Sequence, residues 1–197
     1  DWQINNSKIE CLVSNENRNI KLLTRRISET SGNLEMSVKL GFLNTQISNL
    51  NKNWAGFNIG AKKEDNNSKT DKGLQIGVCT NGALFIGNPN LNNRNEAVIN
   101  SLKNEVELNL KVSLHQDKYT IDFSVIDVKT KQKLSNISKT NISPEQLTGD
   151  LFLVSNFENK NSHEMNTTKS VWFQDWEIKG SKVAVITIKE NQSIVLK

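Results

Sequence analysis

The chain has 197 residues, 36% of them hydrophobic, and 25 Lys and Arg against 21 Asp and Glu give it a net charge of +4. That length suits one domain and buries about 70% of the unfolded surface, enough for an independent core. The charges are interspersed, with no Lys/Arg block among aromatics to suit nucleic acid. No run reaches the roughly 18 apolar residues of a membrane span, and no leader is recognisable.

Ser7–Ser14 and Asn19–Ile27 read as the first two strands, joined by the polar Asn15–Arg18. Leu34, Met36, Val38, Leu40 and Phe42 alternate with Glu35, Ser37 and Lys39, which predicts a strand with one wet face. Residues 44–53 form a polar connection to Trp54-Ala-Gly-Phe-Asn-Ile-Gly-Ala, and residues 62–72 an exposed charged loop. Gly73–Gly87 then reads as a hairpin turning at Asn81-Gly82, because both residues tolerate positive φ. A two-residue turn pairs Thr80 with Ala83, Val78 with Phe85 and Gly77 with Ile86. Both faces of that hairpin are apolar or very small, which predicts a central place in a sheet covered on both sides.

Asn88-Pro89-Asn90 is a turn, and Glu96–Leu102 reads as a short helix. Val106, Leu108, Leu110, Val112 and Leu114 alternate with polar residues, as do Tyr119, Ile121, Phe123 and Val125. Turning at Gln116-Asp117 sets Leu114 opposite Tyr119 and Leu110 opposite Phe123 on one face, and Lys111 opposite Asp122 on the other. Lys133–Thr140 adds a strand, and Ser143-Pro144-Glu145-Gln146 opens a helical turn with a capping box. Leu151–Phe157 is a continuous apolar run, hence a buried strand, and residues 158–168 a polar loop. Val171–Lys179 is the last clear strand, with Trp172 and Trp176 on one parity and Phe173, Asp175 and Glu177 on the other. The sum is an all-β sandwich or barrel with little helix. Cys11 and Cys79 leave a disulfide open, with two buried thiols the plainer alternative. The Asn-x-Ser/Thr triplets at Asn5, Asn66, Asn136 and Asn166 follow from asparagine abundance.

Three segments together carry a resemblance: Ile20-Lys-Leu-Leu-Thr-Arg-Arg26, the Trp54–Ala61 run with Gly73–Gly87, and Trp172-Phe-Gln-Asp-Trp-Glu-Ile-Lys-Gly-Ser-Lys182. In this order they resemble the N-terminal module of secreted bacterial alkaline phosphatase D-like (PhoD-like) proteins. The resemblance implies a concanavalin A-like, laminin G-like jelly-roll sandwich of two antiparallel sheets over residues 1–182. Residues 183–197 are then a linker or extra strand leading toward a metallophosphatase domain. It also implies a secreted or periplasmic location, and the start at Asp1-Trp2 fits a leader already removed.

No catalytic signature accompanies these segments. A dinuclear phosphatase needs clustered Asp, His and Asn around two metals, whereas the two histidines, His115 at a turn and His163 in a polar loop, read as solvated. The Glu-x-Asp-x-x-Glu or Glu-x-Asp-x-Glu strand of glycosidases with this kind of fold is missing. Asp175 and Glu177 are one short pair with such spacing. The expectation is a non-catalytic accessory module that packs against or positions a phosphatase domain. The alternative is a carbohydrate-binding, lectin-like module, with Trp54, Phe85, Trp172 and Trp176 as candidate stacking platforms and glycan as partner. Trp2, Phe57 and Phe173 could serve likewise, and core packing is the bland account of all seven. By analogy of fold, Asp175 on the last strand is the candidate ligand of a structural Ca²⁺.

Overall fold

The structure, a computed structural model, describes residues 1–43, 53–61, 73–89, 93–157 and 168–186. The connections expected at 44–52, 62–72 and 158–167, with His163, Asn66 and Asn166, lie outside the described residues. The first eight strands are β1 (Trp2–Asn5), β2 (Lys8–Cys11), β3 (Arg18–Lys21), β4 (Arg25–Ile27), β5 (Leu34–Phe42), β6 (Trp54–Ala61), β7 (Leu74–Cys79) and β8 (Leu84–Ile86). Helix α1 (Glu96–Leu102) leads to β9 (Val106–His115), β10 (Lys118–Asp127) and β11 (Lys133–Ile142). After α2 (Pro144–Leu147) come β12 (Asp150–Asn156), β13 (Val171–Lys179) and β14 (Val183–Val185).

Two antiparallel sheets make the sandwich. Seven strands run in the order β1-β2-β13-β5-β9-β10-β11, five in the order β3-β12-β6-β7-β8, and β14 pairs with β4 in a small third sheet. The core lies between the two large sheets, because alternate residues of each strand point inward. Leu34, Val38 and Leu40 of β5, Val106, Leu108 and Val112 of β9, and Phe57 and Ile59 of β6 are all fully buried there. Each such side chain contributes about 1.5–3 kcal/mol by leaving water.

The β9–β10 register is the expected one, with Leu114 opposite Tyr119, Val112 opposite Ile121, Leu110 opposite Phe123 and Lys111 opposite Asp122. Helix α1 keeps the expected bounds, and the Asn95 side chain caps it by accepting from Val98 N. The Ser143 backbone N donates to Gln146 Oε1 at 3.1 Å, as a capping box requires.

Four expectations are corrected. The strand expected over Asn19–Ile27 is two strands, because the chain changes partner from β12 to β14 between Lys21 and Arg25. The Asn81-Gly82 hairpin closes on three residues: Cys79 N donates to Ala83 O and Gly82 N to Cys79 O. Gly82 alone takes the left-handed conformation (φ 78°), and its α-carbon is packed against Asn95 O, while Asn95 N donates to Asn81 O. Helix α1 therefore selects the longer turn, and Gly77 rather than Val78 faces Phe85. The hairpin is also not central, since the three-residue β8 ends the five-stranded sheet. Lastly, β13 carries a bulge in which Asp175 and Trp176 together oppose Val38, with Asp175 at φ 52°. One extra residue reverses the parity beyond it, so Trp172 and Trp176 face opposite ways.

Candidate functional site

The outward face of the five-stranded sheet carries the second apolar cluster of the molecule: Trp54, Cys79, Ala83, Phe85 and Val154, with Phe152 at its margin. Strand pairing lays these residues out in rows. One row runs Asn19, Val154, Gly56, Gly77, Phe85 across all five strands. Gly77 is bare because the Trp54 ring lies over it: a Cβ there would sit 2.9 Å from Trp54 Cε3 and 2.6 Å from Ala55 O. Trp54 meets the Phe85 ring edge-to-face at 5.0 Å, and each ring is only 2% exposed. Cys79 faces Trp54, and burial pushes its thiol up to about 12.

The adjacent row is different in character. Lys21, Phe152, Asn58 and Gln75 are direct neighbours across β3, β12, β6 and β7, and all four are half-buried. Lys21 Nζ lies 5.9 Å from the Phe152 ring centre and pairs with Asp150 Oδ2 at 2.5 Å. Asn58 Oδ1 is buried against Gly73, where an added Cβ would sit 2.5 Å from it, and has no hydrogen-bond partner among the described residues. An unpaired buried carbonyl costs about 1–3 kcal/mol. An apolar ring flanked by a cation–carboxylate pair and two amides presents both stacking and hydrogen-bonding groups to a polar ligand.

The candidate platforms named from sequence therefore do not assemble. Trp54 and Phe85 meet, but as a buried packing pair. Trp172 lies on the outer side of the seven-stranded sheet, 5% exposed, opposite Glu10 and Gly41 and beneath Lys8 Nζ at 3.5 Å from the ring centre. Trp176 packs against the main core, and its indole Nε1 has no hydrogen-bond partner among the described residues. Trp2 and Phe173 pack against each other at 6.1 Å, and Phe57 is fully buried. His115 is exposed at its turn. Both cysteines are free and buried, Cys11 in the main core and Cys79 in the second cluster. Sequence reading missed Phe152, Asn58 and Gln75. Their signal was one polar residue in each of β6 and β7 on the parity of Trp54, interrupting otherwise apolar or glycine positions.

Asp175 does not fit a calcium site. Its carboxylate receives Lys39 Nζ at 2.7 Å, and no group of three or more His, Cys, Asp or Glu side chains is gathered among the described residues. Calcium favours six to eight oxygen ligands, and a neighbouring ammonium opposes it.

Two antiparallel sheets joined in this order form a concanavalin A-like, legume-lectin-like β-sandwich. Among solved structures the chain is similar to lectin I-B4 from Griffonia simplicifolia in its metal-free form (TM-score 0.58, 8% identity, 92% of this chain and 91% of that one). It is also similar to basic winged bean lectin with Tn-antigen (TM-score 0.55, 9% identity, 94% and 90%) and to the Ca²⁺-bound exoplasmic/lumenal domain of VIP36 (TM-score 0.51, 11% identity, 96% and 83%). No protein-family model and no curated protein sequence matches the chain. At these identities the likeness is one of fold, and nothing in it supports the PhoD-like resemblance.

Proposed function

We propose that this chain is a non-catalytic carbohydrate-binding module that works outside the cytoplasm and holds glycan on the outward face of its five-stranded sheet. The observation that carries this reading is the row Lys21–Phe152–Asn58–Gln75, which sets a half-buried ring between a lysine and two half-buried amides on the outward face. The sugar's C–H face covers Phe152, and its hydroxyls meet the half-buried side chains of Asn58 and Gln75. The Lys21–Asp150 pair adds further hydrogen-bonding groups on the other side. The fold likeness to lectins agrees with this reading, although fold alone does not assign a ligand. A role without catalysis is supported by the missing paired-carboxylate strand.

A glycan array tests the proposal. Specific binding by the intact chain that disappears in Phe152→Ala and Asn58→Ala proteins of unchanged circular dichroism is the expected result. Absence of any specific signal, or a signal that both variants keep, would overturn it. The accessory-module reading, docking on a phosphatase domain, is the runner-up; it rests on the segment resemblance alone.

A further inference from the structure

The seven-stranded sheet bears a groove of about 380 Å³ on its outward face, remote in the fold from the row on the other sheet. Its floor is a transverse row of short or neutral side chains: Ser37, Asn109, Ser124 and Asn136 stand side by side on β5, β9, β10 and β11, with Glu177 of β13 at the end. Along one side runs a row of longer residues in alternating charge: Lys179, Glu35, Lys111, Asp122, ending in Ser138. Lys179 pairs with Glu35 at 3.3 Å, Lys111 faces Asp122, and Ser138 donates to Asp122. That wall sums to no net charge.

The floor offers hydrogen bonds that the protein leaves open. Asn109 Nδ2 donates to Glu107 Oε1 at 3.0 Å, but the side chains of Ser37, Ser124 and Asn136 have no hydrogen-bond partner among the described residues. Strands spaced about 4.8 Å apart make this floor about 19 Å long, open at the β11 edge of the sheet. Bulges in the β10–β11 pairing and in β13 curl the sheet at both flanks, which accounts for a depression on a sheet face.

We infer that this trough is a second binding site, for a linear, uncharged oligosaccharide lying across the strands. A charged chain would gain nothing from a lining in which Lys111, Lys133 and Lys179 balance Glu35, Asp122 and Glu177, and an apolar one would strand the open hydroxyls and amide of the floor. A neutral polyhydroxyl chain matches both the length of the trough and its evenly spaced donors and acceptors. The inference stands apart from the proposed function, because it involves the other sheet and none of the same residues.

Titration of the isotope-labelled chain with cellohexaose and with mannohexaose, followed by amide NMR shifts, tests it. The expected result is a saturable shift, with at least one of the two, at Ser37, Asn109, Ser124 and Asn136. Ser124→Gln, which fills the floor, and Asn136→Ala, at an exposed edge position, should each weaken binding about tenfold or less, and the pair together more than tenfold. Four outcomes would overturn the inference: no shift with either sugar at millimolar concentration, shifts confined to Lys21, Phe152, Asn58 and Gln75, equal binding of oligogalacturonate, or concentration-dependent self-association through this face that Ser124→Gln abolishes. The second of these would leave the proposed function standing, and loss of the Phe152 signal alone would leave the trough standing.

Discussion

Lys39 Nζ sits 2.7 Å from Asp175 Oδ2, across the bulge that turns Trp176 into the core. The contact raises the Lys39 ammonium above its ordinary value, the hydrogen bond from Asp175 being the largest cause. It also occupies the carboxylate that fold analogy offers to calcium. Millimolar calcium and chelator should therefore give the same difference in melting temperature, whatever its size, in the intact chain and in Asp175→Asn. A calcium shift present in the first and lost in the second would show that Asp175 is a ligand after all.

A second carboxylate gives a pH dependence. Glu10 accepts from Lys169 Nζ at 2.7 Å, from Asn5 Nδ2 at 3.0 Å and from Gln3 Nε2 at 3.3 Å. The Lys169 bond is the largest cause holding it below its usual 4.5. A depressed folded-state value means stability that is complete above 4.5 and lost as pH falls through the folded value. Lys169 is 44% exposed, so water screens the pair and the amount is about 1 kcal/mol or less. Urea midpoints of the intact chain should fall on going from pH 6 to about pH 3. In Glu10→Gln that part of the fall should be missing, and an identical pH profile in both proteins would contradict the assignment.

How much of this was legible depended on whether a local pattern had one solution. Val106–Leu114 against Tyr119–Val125 did, since a one-residue slip would turn every apolar side chain to water and separate Lys111 from Asp122. Glu96–Leu102 was a weaker pattern, and the cap that fixes it, Asn95, came from the structure. Asn81-Gly82 had two solutions, and a distant residue, Asn95, chose between them. The parity of Trp176 depended on a bulge that no spacing announces. The row Lys21–Phe152–Asn58–Gln75 needs the strand order β3-β12-β6-β7, which brings residue 21 beside residue 152 and cannot be read from neighbours in the chain.

Thiol reactivity follows from burial. Cys11 and Cys79 are both inaccessible, and Cys79 is in addition pushed up to about 12, where almost no thiolate exists at neutral pH. Native protein should react with no equivalent of a thiol-specific dye within minutes at pH 8, and denatured protein with two. Rapid labelling of Cys79 in native protein would mean that the Trp54 cluster opens readily.

The two rows on the five-stranded sheet should separate stability from binding. Trp54 is 2% exposed, packed over Gly77 and against Phe85, so Trp54→Ala removes a filled ring site and should cost about 3–5 kcal/mol in urea unfolding. Gly77→Ala forces a methyl against the same ring and against Ala55 O, and should cost about 1–3 kcal/mol by overpacking. Phe152 is half-buried at the margin of that cluster, so Phe152→Ala should lose clearly less stability than Trp54→Ala. On any glycan that the intact chain binds, the order should reverse. Phe152→Ala should abolish the signal, while Gly77→Ala, measured well below its melting temperature, should keep it. If Gly77→Ala lost binding while Phe152→Ala kept it, the packed ring pair rather than the polar row would be the surface that meets the ligand.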